Sequence, residues 1–298
     1  MEGFIFDEPT QSLRAVDGFP GSATFGPALV SGVAFASVAP HQNYAIVFKD
    51  GHFLLMSALG SAHVVTRALD ALMSEPEGAV WSADGSVAVL FSSKGNWIQS
   101  VTGLPKTPHV NSHESLSPLG GTLADVAADS DGKKIAIAMR GAQGAVFLNT
   151  ASQKFVPLLE TANPASLSFS EDGAELYALD GTSLKLSAIA LSNSSARVLP
   201  LTGLKTPSAI RTGHDSSNHP LLFVADLKHQ LVSVYNPASE KFQATFHLAF
   251  QPSGFQGLGR NSFVIGSRGK PSDPLWLFST APKPAVYFVP AASSKGDE

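Results

Sequence analysis

The sequence predicts an all-β protein built from repeated four-stranded antiparallel sheets, and three observations lead to that prediction. First, an Asp-Gly pair recurs at positions 84, 131 and 172, each time before a short apolar run. An interval of just over forty residues is typical of a radial or stacked repeat array. Second, apolar and polar residues alternate with period two, with no helical periodicity, in the clearest repeat. Third, the 298 residues include 26 glycines and 20 prolines, which suits short strands joined by turns.

The clearest repeat, residues 163–203, contains four such strands separated by Asp-Gly and Ser/Asn turns. Its first turn reads Ser170-Glu171-Asp172-Gly173. The glycine can supply the positive φ that a tight hairpin needs, and the aspartate can accept hydrogen bonds from the amides of the turn. A four-stranded meander of this kind forms one blade of a β-propeller.

Five other stretches of the chain fit the same template, which makes six repeats. The predicted blades are residues 30–69, 76–116, 122–161, 163–203, 206–250 and 251–290. We therefore expect a single β-propeller domain over residues 1–298, with a polar tail at 291–298.

The N-terminus adds an incomplete repeat. Residues 3–18 match the third and fourth strands of a blade, with no first or second strand before them. Two interpretations are open: a seventh blade that is incomplete, or a six-bladed propeller with an extra hairpin. The sequence favours seven blades, because an unpaired outer hairpin would expose a long strand edge.

The pattern Phe-Ser-x-Asp-Gly-x-x-Leu-Tyr-Ala at residues 169–178 resembles bacterial propellers of the WD-repeat-like, YVTN and lactonase superfamily. The resemblance covers nearly the whole chain. It implies a fold rather than a function, because unrelated enzymes, sensors and scaffolds share this architecture. The chain departs from the family in lacking the Gly-His and Trp-Asp signatures of WD repeats and the YVTN tetrapeptide.

Composition restricts the partners. The net charge is -4, which argues against a nucleic-acid or anionic-membrane binder. The absence of cysteine excludes disulfides and thiolate chemistry. No segment approaches 18 uninterrupted apolar residues, so we expect a soluble protein without membrane insertion. A charged fraction of 15%, against roughly 25% in average proteins, and many Ser and Thr residues favour an exported mature form. No cofactor is expected.

A ring of positive charge is the sharpest functional prediction. In a propeller, the loops between second and third strands lie at the mouth of the central channel. Five of the six such loops carry a Lys or Arg near the same point: Lys49, Lys94, Arg140, Lys228 and Arg268. Converging charges over a concave mouth could bind an anionic ligand or an acidic partner. The alternative is that these side chains only keep exposed turns soluble.

Asp125 and Arg211 lie in or near predicted first strands, which line the channel of a propeller. An ionisable residue there is costly unless it is paired or hydrated. The two residues are therefore either satisfied by neighbours and channel water or are the polar groups of a small-molecule site.

His109, His113 and Glu114 form a weaker candidate, a metal site in the longest connection between blades. Imidazole and carboxylate groups suit Zn²⁺ or another divalent ion. A spacing of four residues, however, aligns two histidines only on a helix, and this stretch has no helical pattern. The sequence therefore favours a solvated loop.

Two functions remain open. No nucleophile elbow, phosphate-binding loop, zinc-protease or dinucleotide motif is present. This favours a non-enzymatic binding or scaffold module for a protein, peptide, glycan or anionic small molecule. The alternative is a lactonase-like or other hydrolytic enzyme whose polar or metal site is assembled in the channel from different blades.

Overall fold

The structure is a computed structural model that describes residues 2–19, 21–72, 75–142, 144–161, 163–259, 262–266 and 268–291. Within those ranges the chain forms seven antiparallel sheets and two three-residue 3-10 helices, with no α-helix. The protein is a seven-bladed β-propeller, as the sequence predicts. Residues 292–298 of the predicted tail lie outside the described residues.

We number the sheets as blades 1 to 7 in chain order. Blade 1 contains β1 (Gly3–Asp7), β2 (Ser12–Asp17) and β3 (Thr24–Ser31). Blade 2 contains β4 (Val33–Val38), β5 (Tyr44–Lys49), β6 (His52–Ser57) and β7 (Val65–Ala68). Blade 3 contains β8 (Gly78–Trp81), β9 (Ala88–Ser92), β10 (Trp97–Thr102) and two short strands that both pair with β10, β11 (His109–Val110) and β12 (Glu114–Ser115).

The remaining four blades each have four strands in sequential order. Blade 4 contains β13 (Thr122–Ala128), β14 (Lys134–Arg140), β15 (Ala145–Thr150) and β16 (Val156–Glu160). Blade 5 contains β17 (Pro164–Phe169), β18 (Glu175–Asp180), β19 (Lys185–Ala190) and β20 (Ser195–Leu199). Blade 6 contains β21 (Pro207–His214), β22 (Pro220–Asp226), β23 (Leu231–Asn236) and β24 (Lys241–His247). Blade 7 contains β25 (Gln256–Gly257), β26 (Ser262–Val264), β27 (Leu275–Ser279) and β28 (Ala285–Val289).

The chain divides into two compact units. Unit 1 comprises Met1–Leu69 and Gln256–Glu298, and it contains blades 1, 2 and 7. Unit 2 comprises Asp70–Phe255, and it contains blades 3 to 6. No helix in the described part of the chain has the length and apolar character needed to cross a membrane.

The N-terminal sheet differs from the prediction, because it has three strands rather than two. β3 pairs with β2 and leads directly into β4, so β2 is the third strand of the blade and β3 is the fourth. The sequence had predicted β1 as the third strand and β2 as the fourth. The register of the β2–β3 pairing shifts on both sides of Arg14, whose Nη2 donates to the carbonyl of Gly26 at 3.1 Å. The Gly26-Pro27 pair and these irregularities obscure the period-two pattern of β3 in the sequence.

The cores of unit 2 lie between adjacent blades. One cluster joins Leu179 and Leu186 of blade 5 to Ile210 and Leu222 of blade 6, and all four are buried. A strand buried on both faces presents alternate residues to its two neighbouring blades, which explains why the repeated apolar runs recur in every unit of the sequence.

The predicted Asp-Gly turns are confirmed. Oδ1 of Asp172 accepts hydrogen bonds from Ser170 Oγ at 2.6 Å and from the amide of Ala174 at 3.0 Å. Gly173 has a φ of 65°, in the left-handed region that favours glycine. Asp84 accepts equivalent bonds in blade 3. These residues are therefore structural.

Candidate functional site

The first strands of blades 4, 5 and 6 are tied together by side-chain oxygens. Oδ2 of Asp125 on β13 accepts the amide of Leu167 on β17 at 2.7 Å. Oγ of Ser166 on β17 in turn accepts the amide of Ile210 on β21 at 3.2 Å. Because Ile210 directly precedes Arg211, these bonds connect the two ionisable residues predicted in first strands.

A β-bulge recurs at the same place in each of these strands. The register shifts between Leu123 and Asp125, between Pro164 and Ser166, and between Pro207 and Ala209. Asp125 and Ser166 both directly follow a bulge, so they hold equivalent positions and make the same bond to the next blade. Bulges commonly re-aim side chains next to functional sites.

The residues skipped by the bulges are small and partly exposed: Ala124, Ala165 and Ser208. Ala124 and Ala165 pack against the apolar clusters between the blades of unit 2.

Asp125 is partly accessible to solvent, but enough protein surrounds it to desolvate its carboxyl group. Desolvation raises the pKa of Asp125 to about 6, although hydrogen bonds from the amides of Leu167 and Val126 and the charge of Arg211 act in the opposite direction. Its charge therefore changes close to neutral pH, which is uncommon for an aspartate.

Arg211 is exposed, but its guanidinium is also surrounded by protein. Desolvation lowers the pKa of Arg211, and the charge of Asp125 partly opposes this. Within the described ranges, the Arg211 guanidinium makes no hydrogen bond and no direct ion pair, including with Asp125. The side chain is therefore accessible, and its five donors have no protein partner among the described residues.

The other predicted cations of unit 2 are exposed. Lys94 and Lys228 lie in the loops between second and third strands, whereas Arg140 is the last residue of the second strand β14. Nη2 of Arg140 donates to the carbonyl of Pro164 at 3.3 Å, at the start of β17. Glu77 lies beside Lys94 and accepts its backbone amide at 3.1 Å. The positive charge of Lys94 is thus partly offset, which leaves blades 4 and 6 with the less compensated cations.

In unit 1, the prediction that Arg268 faces a ligand is wrong. Its side chain is only 4% exposed, and its Nη1 lies 2.5 Å from Oδ1 of Asp7, which is fully buried. Nε of Arg268 donates to the carbonyl of Asp273 at 2.8 Å, and the guanidinium lies 4.5 Å from the ring centroid of Phe25. Lys49, in the same unit, uses its Nζ to bond the carbonyl of Ser31 at 2.8 Å. These contacts give Arg268 a structural role.

Asp180 and Asp226 are buried aspartates that the sequence did not predict to be functional or structural residues. Asp226 ends β22, and its Oδ2 accepts the amides of Lys205 and Thr206 at 2.6 and 3.1 Å. Burial alone would raise the pKa of Asp226, but these bonds and one from the amide of His229 outweigh it and hold the pKa well below its usual range. Asp180 ends β18 and binds the preceding connection in the same way. The shared signal was an Asp at the end of a second strand.

The predicted metal ligands are not brought together. Glu114 pairs with Nζ of Lys154 at 2.7 Å. The ring of His113 packs against Trp97, with centroids 5.2 Å apart, and His109 lies on β11. Among the residues that the structure describes, no group of three or more His, Asp or Glu side chains could hold a metal ion.

The comparisons with known proteins show the fold. No family model and no curated protein matches the chain. A functionally unknown protein from Desulfotomaculum acetoxidans has a TM-score of 0.66 and 12% identity, covering 97% of this chain and 100% of that one. Catalytically inactive virginiamycin B lyase from Staphylococcus aureus, solved with quinupristin, has a TM-score of 0.59 and 11% identity over 88% of this chain and 85% of that one. A chain of the nidogen/laminin complex has a TM-score of 0.54 and 14% identity over 84% and 95%.

These similar structures include a lyase, a member of a binding complex and a protein of unknown function. At such low identities the likeness extends to the fold and no further. The resemblance to propellers of the YVTN and related types therefore holds at the level of architecture.

Proposed function

We propose that the protein is a non-enzymatic binding module that holds the carboxylate of a small molecule or peptide. The carboxylate would bind on the surface formed by the first strands of blades 4, 5 and 6 (β13, β17 and β21), which we call the first-strand wall. The observation that carries this proposal is the Arg211 guanidinium, which is desolvated and accessible but has no protein partner within the described residues. The exposed guanidinium keeps part of its hydration, but a partly desolvated charge is stabilised by a partner of opposite charge. A bound anion would supply the missing partner.

Arginine suits this role better than lysine would. Its planar guanidinium can bond both oxygens of a carboxylate at once, and it remains charged at any physiological pH. A single free guanidinium close to Asp125 balances one negative charge. The site therefore favours a monoanion over a polyanion.

The exposed cations of the neighbouring loops support the proposal through attraction at a distance. Arg140 ends the second strand of blade 4 and Lys228 lies in the loop after the second strand of blade 6, and these two blades also carry Asp125 and Arg211 on their first strands. Such charges raise the local concentration of an anion and its association rate. Their contribution should decrease as salt is added, whereas a contact with desolvated Arg211 should be less sensitive.

Calorimetric titration of benzoate, succinate, N-acetyl-trialanine and inorganic phosphate into the wild-type protein tests the proposal. We expect a monocarboxylate to bind and the Arg211→Gln variant to weaken it at least tenfold, about 1.4 kcal/mol. The matched control is Arg67→Gln, which removes the same charge from exposed β7 in unit 1. Absence of binding by every carboxylate, or equal binding by the Arg211→Gln variant, would overturn the proposal.

A second function, hydrolysis, is favoured by one observation. The pKa of Asp125, raised to about 6, is close to the value that suits a general base at neutral pH. In this case Asp125 would remove a proton from water that attacks a lactone or another ester. Turnover of aliphatic and aromatic lactones that disappears in the Asp125→Ser variant would support the enzyme; no turnover of any of them would leave the binding module.

A further inference from the structure

We propose that the ligand of this wall is a zwitterion, an amino acid or a similar small molecule whose carboxylate binds Arg211 and whose ammonium binds Asp125. This inference rests on the proposed function, since it needs Arg211 to hold a carboxylate. It adds the chemical class of the ligand and a specificity-determining role for Asp125.

The charges of Asp125 and Arg211 act on each other without forming a direct contact. Each of Asp125 and Arg211 influences the pKa of the other, but the two described side chains form no direct ion pair. Ser166 lies between them and is bonded to the residue before Arg211. A ligand that contacts both charges would therefore span the first strand of blade 5.

The Asp125 carboxylate and the Arg211 guanidinium can both form further hydrogen bonds. The Asp125 carboxylate receives one amide on each oxygen, from Val126 at 2.9 Å and from Leu167 at 2.7 Å, and the Ser166 hydroxyl also interacts with it and lowers its pKa. An ionised carboxylate can accept about four hydrogen bonds. The Arg211 donors have no partner in the described part of the chain. An acceptor group on blade 4 and a donor group on blade 6 therefore have bonding capacity on either side of blade 5.

The negative charge of Asp125 affects which ligands can bind favourably at Arg211. A simple carboxylate at Arg211 lies close to Asp125, and like charges in a desolvated place repel each other. An ammonium group on the same ligand offsets this repulsion, because it is attracted to Asp125. Electrostatic complementarity of this kind determines specificity between otherwise similar ligands.

The hydrogen bond that Asp125 makes to the next blade does not by itself explain why residue 125 is an aspartate. Ser166 holds the equivalent position after the bulge in blade 5 and makes the same tie to the next strand with a neutral hydroxyl. The tie between blades therefore does not need a charge. The charge of Asp125 costs desolvation that serine avoids, and recognition of a cationic group accounts for it.

Matched ligand pairs test the inference. Each pair consists of an amino acid and the same acid without its amino group: glycine and acetate, alanine and propanoate, phenylalanine and 3-phenylpropanoate. Calorimetric titration into the wild-type protein should show at least one amino acid binding about tenfold or more tightly than its partner. Phenethylamine, which has no carboxylate, should not bind.

The variant Asp125→Ser separates recognition from structure, because serine can keep the bond to Leu167 as Ser166 keeps the bond to Ile210. In this variant the amino acid should lose its advantage and bind no more tightly than its desamino partner. Asp125→Asn, which keeps the size of the side chain, provides a second test if the serine variant does not fold.

The outcomes distinguish the two proposals. If desamino acids bind and depend on Arg211, but amino acids bind no better, the zwitterion inference is overturned and the carboxylate site stands. If amino acids keep their advantage in both Asp125 variants, the role of Asp125 is overturned. If no carboxylate of either kind binds, the proposed function fails and this inference fails with it.

Discussion

Each unit of the molecule contains an aspartate and an arginine of opposite charge, and the two pairs are built differently. In unit 1, Asp7 and Arg268 are buried and in direct contact at 2.5 Å, and backbone carbonyls and the ring of Phe25 satisfy the rest of the guanidinium. In unit 2, Asp125 and Arg211 influence each other but do not touch. The first pair is complete within the protein, whereas the second has capacity for a ligand.

The comparison shows that a charged residue in this fold must be judged by its partners and not by its place in the repeat. Arg268 matches the predicted set of ligand-facing cations by position, but it stabilises unit 1. Arg211 lies on a first strand with an exposed side chain, and its donors are unused within the described residues. The two pairs should therefore respond differently to substitution.

Breaking the pair in unit 1 should have the largest effect. The Asp7→Asn variant leaves Arg268 charged, buried and without a counter-ion, and loss of one partner of a buried pair costs about 3–5 kcal/mol. Urea denaturation should show this decrease in the free energy of unfolding. Glu8→Gln, the same chemical change at the exposed neighbour, is the control and should have little effect. Equal stability of the two variants would mean that the pair does not stabilise unit 1.

Replacing the buried residue Asp226 should have the second-largest effect on the free energy of unfolding, and this effect should depend on pH. Its pKa is depressed in the folded state, so its contribution to stability is present above the unfolded pKa of about 3.9 and is lost as pH falls below that value. The Asp226→Asn variant should lose about 2–3 kcal/mol at pH 7. The difference from the wild type should shrink below about pH 4. A difference that stays constant from pH 7 to pH 3 would contradict the role of the ionised carboxylate.

Asp125 should show the opposite dependence with a smaller effect. Because its folded pKa is raised to about 6, its contribution to stability is greatest below the unfolded pKa of about 3.9 and is lost as pH rises through about 6. The wild-type protein should therefore lose stability relative to Asp125→Ser between pH 4 and pH 7.5, by on the order of 1–2 kcal/mol. Urea midpoints of both proteins across that range provide the measurement. Parallel pH profiles would show that Asp125 is not desolvated.

Much of the fold could be predicted from the sequence. The Asp-Gly turns and the period-two strands are local features, and they identify the six later blades and the extra N-terminal repeat. β3 was missed because Gly26-Pro27 and two register shifts interrupt its pattern. Local sequence does not show where a strand is irregular until its partner is known.

The site was predictable only in part. Asp125 and Arg211 were found because charged residues are unusual in a first strand. That Arg268 is paired with Asp7, more than 260 positions away in the chain, depends on a tertiary contact that no local pattern encodes. The anchors Asp180 and Asp226 were read as loop residues for the same reason, since their partners lie in the preceding connections.

The most direct test of the contrast between the two pairs is a titration of benzoate and phenylalanine into the wild-type and Arg211→Gln proteins, with urea denaturation of the same samples. We expect the variant to lose binding at least tenfold while its free energy of unfolding stays within about 0.5 kcal/mol of the wild type. Unchanged binding, or a loss of stability as large as that of Asp7→Asn, would show that Arg211, like Arg268, serves the fold and holds no ligand.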